Sequence, residues 1–162
     1  MSENNLTIRA LGAEDAPLLS AMLLAQPPRY ARFFYPFSFD IAAIAEILRD
    51  CEKDVYEGMI WDDKLVGFFM LRGWDAGFEV PAYGLIISRD YRGYGLEMLS
   101  LEAAKVICNL RGATRIMLKM HPDNFSAKGI ARKIGFVLTG VEAESGNAIY
   151  HFDLTPRSKK NL

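Results

Sequence analysis

The chain has 162 residues, 51% apolar and 24% charged, which at roughly 100 to 200 residues per domain describes one domain, 1–155, with a short tail over 156–162. A chain this long buries enough surface to hold together without disulfides or metals, and 19 Lys and Arg against 20 Asp and Glu leave no cationic surplus for nucleic acid. No apolar run approaches the roughly 18 residues of a membrane span, and the polar start Ser2-Glu3-Asn4-Asn5 lacks the features of a signal peptide, so a cytoplasmic protein is expected.

Leu6 to Ala10 reads as a first strand, broken by Gly12. Ala13 to Ala25 follows with Leu18, Leu19, Met22 and Leu23 at helical spacing, stopped by Pro27-Pro28. Arg29 to Phe39 is a loop crowded with Tyr30, Phe33, Phe34, Tyr35, Phe37 and Phe39. Asp40 is placed to accept hydrogen bonds from the free amides of a second helix, whose apolar face is Ile41, Ile44, Ile47 and Leu48 down to Cys51.

Val55–Trp61, Leu65–Trp74 and Phe78–Ser88 are β-rich runs separated by Asp62-Asp63-Lys64 and Asp75-Ala76-Gly77, an antiparallel meander. Leu96–Leu110 is the longest helix, carrying Leu99, Ala103, Val106, Ile107 and Leu110 at helical intervals and stopped by Arg111-Gly112. Arg115–Met120 is a strand and Ser126–Lys133 a helix ended by Gly135. Phe136–Val141 and Ile149–Leu154 form a last hairpin around Ser145-Gly146-Asn147, and the chain closes on the basic tail Pro156–Leu162. With no self-similar period, this is a mixed α/β sheet domain.

Cys51 and Cys108 stand alone, without redox or metal-ligand spacing, and read as small apolar residues; no metal is expected. The only histidines are His121 and His151, and no Gly-x-Ser-x-Gly elbow is present, which argues against a hydrolase triad.

The chemistry is concentrated in Leu85-Ile86-Ile87-Ser88-Arg89-Asp90-Tyr91-Arg92-Gly93-Tyr94-Gly95-Leu96, an apolar strand running through a glycine turn into the longest helix. Unpaired amides and about half a positive charge at such a helix start suit a pyrophosphate; Gly93 and Gly95 let the backbone close around it, and Arg92 adds a cation. A dinucleotide fold is excluded by the missing third glycine after Leu96 and by the antiparallel meander before the turn. A Walker loop would require Gly-Lys-Ser or Gly-Lys-Thr.

This segment resembles the pyrophosphate signature of the GNAT superfamily of acyl-CoA N-acyltransferases, Gln/Arg-x-x-Gly-x-Gly/Ala, read here as Arg92-Gly93-Tyr94-Gly95-Leu96-Glu97. A second pattern of that family, Asn-x-x-Ala with a short helix and Gly-Phe, is matched by Asn124, Ala127, Lys133, Gly135 and Phe136, and the resemblance spans Leu6 to Leu154. It implies a mostly antiparallel central sheet flanked by helices and splayed between the fourth and fifth strands, with acetyl-CoA on one side, an amine on the other and direct transfer between them. It also implies that Leu85, Ile86 and Ile87 run along the pantetheine arm, that the amides of Arg92 to Glu97, through Gly93, Tyr94, Gly95 and Leu96, hold the diphosphate, and that Asn124 contacts the cofactor from the far wall. An irregularity at Pro81 or Gly84 would free an amide for the oxyanion.

An amine must lose a proton before it attacks, and Glu79, inside an apolar run where burial raises a carboxyl pKa, is the leading base, with His121 second. Two departures from the pattern stand out. Glu97 occupies the last Gly/Ala position and is expected to point outward, and Ala131 occupies the position of the tyrosine that many members use to protonate the leaving thiolate. Tyr83, Tyr91, Tyr94 or a water would then have to substitute. Gln26 to Phe39, with Arg29 and Arg32, is expected to border the acceptor pocket, for an amino sugar or an apolar amine, or else to form a hydrophobic cluster or a homodimer contact. Two rival readings remain: an acyl-CoA-binding regulatory domain without turnover, and a protein-interaction domain.

Overall fold

The computed structural model describes residues 4–155; the tail 156–162 and residues 1–3, with Ser2 and Glu3 of the polar start, lie outside them. Seven strands form one sheet in the order β1-β2-β3-β4-β5-β7-β6. They are β1 (Leu6–Ala10), β2 (Val55–Trp61), β3 (Lys64–Arg72), β4 (Ala82–Ile87), β5 (Arg115–Met120), β6 (Val137–Val141) and β7 (Ala148–Asp153). All neighbours pair antiparallel except β4 and β5. The expected meander is β2–β3–β4, its first turn an Asp62-Asp63 pair at φ 52° and 66°, the left-handed geometry that suits a two-residue hairpin.

Helices cover both faces. On one, α1 (Ala16–Leu24) and α3 (Ile41–Asp50) pack Leu19, Leu23, Ile44 and Leu48 against Phe68, Met70 and Ile86. On the other, α4 (Leu96–Leu110) and α5 (Phe125–Lys133) pack Leu101, Ala104, Cys108 and Ala131 against Phe69, Leu71, Tyr83, Ile116 and Tyr150. Successive β3 side chains therefore enter different cores, which is why this strand reads as an unbroken apolar run rather than as an alternation. The thiol of Cys108 is buried, while that of Cys51 donates to the Asp54 carbonyl at 2.8 Å.

Several boundaries differ from the sequence reading. The Ala13–Ala25 helix opens as a separate 3-10 turn, Ala13–Asp15, before α1. Asp15 fastens that turn, accepting from Arg9 at 2.8 and 2.9 Å and from the Gly12 amide at 2.8 Å. The aromatic loop contains a short helix, α2 (Pro28–Ala31). Asp40 precedes α3 without capping it: its carboxylate accepts from the Ser38 hydroxyl at 3.1 Å instead. The run Phe78–Ser88 yields a strand only from Ala82 to Ile87, because Pro81 has no amide to give a ladder and Gly73 and Gly77 adopt positive φ in the turn before it. The Arg111-Gly112 and Gly135 stops hold, with φ of 76° at Gly112 and 105° at Gly135.

The Arg9 guanidinium beside Asp15, helped by the Gly12 amide, holds the Asp15 carboxyl below the usual carboxylate range. A depressed carboxyl contributes stability above its unfolded pKa and loses it as pH falls through the folded value. Because Arg9 is partly exposed, Asp15→Asn is expected to cost only about 1 kcal/mol at pH 7, the difference from the parent shrinking as pH drops below about 4. Urea melts of both proteins at pH 7 and pH 3 check this.

Candidate active site

β4 and β5 share a single parallel bridge, Ala82 with Met117, where the Met117 amide donates to the Pro81 carbonyl at 2.9 Å. Beyond it each strand follows its outer partner, β4 with β3 and β5 with β7, and the two part. A cavity of about 390 Å³ opens between them, walled by β4, by the first turns of α4 and by the Ala127, Ile130, Ala131 and Ile134 face of α5.

The inner edge of β4 can be read from its pairing. The Ser88 amide donates to the Val66 carbonyl at 2.8 Å, and the ladder runs without a shift back to Ala82. Antiparallel alternation then directs the amides and carbonyls of Ile86, Gly84 and Ala82 at β3, and those of Tyr83, Leu85 and Ile87 toward the gap. Tyr30 donates its hydroxyl to the Ile87 carbonyl at 2.6 Å, which leaves the Leu85 pair facing the cavity. Ile86 lines the cavity through its side chain, and the β3–β4 register runs without a shift through Gly84, so the gap-facing amides come from regular alternation at a strand that has lost its neighbour and not from the irregularity expected there; Pro81 precedes the strand.

At the end of β4 the chain makes a 3-10 turn, Arg89–Tyr91, and enters α4 through Gly93 at φ 83° and Gly95 at φ 90°, ψ 8°. A Cβ at either glycine would meet nothing within 4 Å, so both face open space. The first intrahelical bond of α4 is the Leu99 amide to the Gly95 carbonyl at 3.1 Å, so the amides of Gly95 to Met98 precede the helical ladder, and those of Gly93 and Tyr94 find no acceptor among the described residues. With the helix dipole behind them, these donors fit a diphosphate.

The two left-handed residues of this turn are Gly93 and Gly95, and Glu97 follows in the first turn of α4. Asp90 is exposed and lies 3.8 Å from Arg89. Glu97 does not point outward as expected. It is half-buried, lines the cavity and lies near enough to Tyr30 and Tyr83 for its charge to help raise both phenols.

The other named residues are distributed unevenly. Asn124 is on the far wall and caps α5, accepting from the Ala127 amide at 3.4 Å. Tyr83 is buried between β4 and α4, within 2.7 Å of the Ser100 hydroxyl, which itself donates to the Glu97 carbonyl at 2.7 Å. Its phenol therefore donates to Ser100, and burial pushes its pKa up, which makes it a weak acid. His121 is half-exposed past the end of β5, stacked on Phe33 with centroids 4.8 Å apart, its Nδ1 accepting from the Asp123 amide, and it lines neither this cavity nor the second one described below. Glu79 lies in an exposed bend outside β4, without the burial expected of it; its carbonyl accepts from the Trp74 indole at 3.3 Å. Ala131 is buried in the α5 wall, which is apolar throughout.

A second cavity, about 560 Å³, lies where the aromatic loop faces the ends of β3 and β4, lined by Phe33, Phe34, Tyr35, Phe78, Asp54 and Arg72 among others. Phe33, Phe34, Tyr83, Gly84 and Lys119 line both cavities, so the two meet at the parting of β4 and β5. The loop borders this space as expected, but its own cations do not. Arg29 and Arg32 are exposed, Arg32 lying 4.5 Å over the Phe33 ring, and the cations in the wall are Arg72 and Lys119, the latter paired with Glu142. Arg72 donates to the Pro36 carbonyl at 3.1 Å and has no acidic partner among the described residues. Composition and spacing gave no sign of Arg72 or of the Tyr30 bond, since both depend on segments 36 and 57 residues apart.

A sheet parted between one parallel pair, with a strand edge and a run of free amides along one side of the gap and a second cavity on the other, defines a two-substrate transferase for an acyl-CoA-type donor. The sequence profile of the family described as an acetyltransferase (GNAT) domain matches residues 5–137. The chain belongs to the GNAT acetyltransferase family and is an acyl-CoA-dependent N-acetyltransferase.

Solved structures share the fold. The PaiA N-acetyltransferase of Thermoplasma acidophilum, in complex with coenzyme A, is 16% identical with a TM-score of 0.74 over 92% of this chain and 99% of its own. The acetyl transferase of Salmonella typhimurium that modifies the N-terminal serine of ribosomal protein L7/L12 is 16% identical, TM-score 0.73, over 96% and 98%. The ribosomal-protein-S18-alanine N-acetyltransferase of Escherichia coli is 16% identical, TM-score 0.70, over 98% and 99%. No curated protein matches the sequence. Among the described residues no helix is long and apolar enough to cross a membrane.

Proposed function

We propose that the protein moves an acetyl group from acetyl-CoA to a primary amine of a small molecule or peptide by direct attack. The observation that carries this is the β4 edge: a gap-facing Leu85 amide and carbonyl in line with the free amides of Gly93 to Met98, on the way to a second cavity. The diphosphate lies on the α4 amides with Arg92 beside it, and the pantetheine arm pairs with Leu85. The thioester then reaches the junction at Tyr83 and Gly84. There the neutral amine attacks the thioester carbonyl and forms the C–N bond, and the C–S bond breaks to release the CoA thiolate. The aromatic wall and Arg72 favour an apolar or sugar-like amine that also carries an acidic group.

The proton leaves the amine on the second-cavity side, where Phe78 and Val80 line the wall and Glu79 lies between them in sequence, facing solvent. A relay through water is weaker than direct contact, so Glu79→Gln is expected to lower kcat/KM by less than about tenfold and to leave CoA affinity unchanged. A loss of a hundredfold or more would restore Glu79 as the direct base. The apolar α5 wall at Ala131 favours one alternative, an acyl-CoA-binding domain without turnover. Thiol release from acetyl-CoA with amino sugars, amino acids, their amides and short peptides tests the first reading. Thermal stabilisation by CoA without release across that panel would favour the second.

A further inference from the structure

The aromatic segment is not simply laid over the cleft; three contacts fasten it to the cofactor side. The Tyr30 hydroxyl holds the Ile87 carbonyl at 2.6 Å on the gap-facing edge of β4. The Arg92 guanidinium lies 5.6 Å from the centre of the Tyr30 ring. Gln26, buried at the end of α1, accepts from the Arg89 amide at 2.8 Å and donates to the Met22 carbonyl at 2.9 Å. Tyr30 lines the cofactor cavity, while Phe33 and Phe34, three and four residues on, line both cavities.

We infer that Tyr30 is a positioning residue that couples the two substrate sites: the state in which it holds Ile87 is the state that sets Phe33 and Phe34 at the acceptor junction, and a bound cofactor favours that state. This rests on the acyl-CoA reading of the cleft. A pantetheine arm running along β4 packs against the Tyr30 ring only while the phenol is docked, and a ligand that contacts one of two states shifts the population toward it. Arg92, drawn to the diphosphate, keeps its place beside the ring. The acceptor wall is thus assembled after the donor binds, and acceptor affinity rises with donor occupancy by the same factor that donor affinity rises with acceptor.

Amide hydrogen exchange of the full chain, with and without saturating CoA, tests this with no acceptor in hand. In the parent protein CoA is expected to slow exchange over 29–39 by about fivefold or more, the factor that one hydrogen bond supplies. Tyr30→Phe, which removes one oxygen atom and keeps the ring, is expected to bind CoA within about threefold of the parent yet to show less than half of that slowing, and Tyr30→Leu, which also removes the Arg92 contact, to show none. Amides of Gly93 to Met98 report cofactor binding in all three proteins. Equal slowing over 29–39 in the parent and Tyr30→Leu would overturn the coupling, as would CoA binding to the parent with no change in that segment. Absence of CoA binding to the parent would overturn the acyltransferase reading beneath it, and the two failures are told apart by the Gly93–Met98 amides.

Discussion

Gly95→Glu is expected to weaken CoA binding by about a hundredfold, close to 3 kcal/mol, while leaving the protein folded. Gly95 is the residue before α4 and sits at φ 90°, ψ 8°, where a side chain costs about 1 to 2 kcal/mol. That strain lowers the melting temperature by several degrees. The larger effect is on the ligand. Because nothing lies within 4 Å of a Cβ there, the new carboxylate extends into the open space over the free amides and meets the diphosphate with like charge. Gly95→Ala separates the two causes, since it carries the strain without the charge and is expected to lose no more than about tenfold. Calorimetric titration of CoA into all three proteins decides it, and parent-like affinity in the glutamate variant would remove the diphosphate from this site.

Leu85→Pro is expected to lower acetyl-CoA affinity by about 10- to 100-fold, whereas Leu85→Ala stays within a few-fold. The reasoning is about backbone. The Leu85 amide points into the gap and away from β3, so a proline there deletes a donor without breaking the β3–β4 ladder, as prolines do on strand edges. Both variants lose the packing of a half-buried side chain against the two cores on the α4 side, so stability falls in both and does not separate them. What separates them is the amide. Equal CoA affinity in the two, measured by titration beside a thermal melt, would mean that the pantetheine arm does not pair with β4.

Much of the site was legible in residue order because it is local. Gly93 and Gly95 between an apolar strand and an amphipathic helix can only be a turn of left-handed residues feeding a helix start, and the free amides follow from helix geometry. Asn124, singled out by its place in the family pattern, proves to cap a short helix, which the order of residues was not read to say. Glu79 was misjudged because burial was inferred from the apolar letters around it, and Pro81 ends the strand before that residue is reached.

The order of residues sufficed for most of the elements, the meander, the helix stops and the glycine turn, because periodicity and the restricted φ of glycine and proline act within a few residues. Which strand edge is left unpaired, which way Glu97 faces, and which cations line the second cavity were set by the assembled sheet. β4 and β5 part because each is held by a different outer neighbour, and Tyr30 reaches Ile87 across 57 residues of chain. Those are sums over distant contacts, and no local window of the chain carries them.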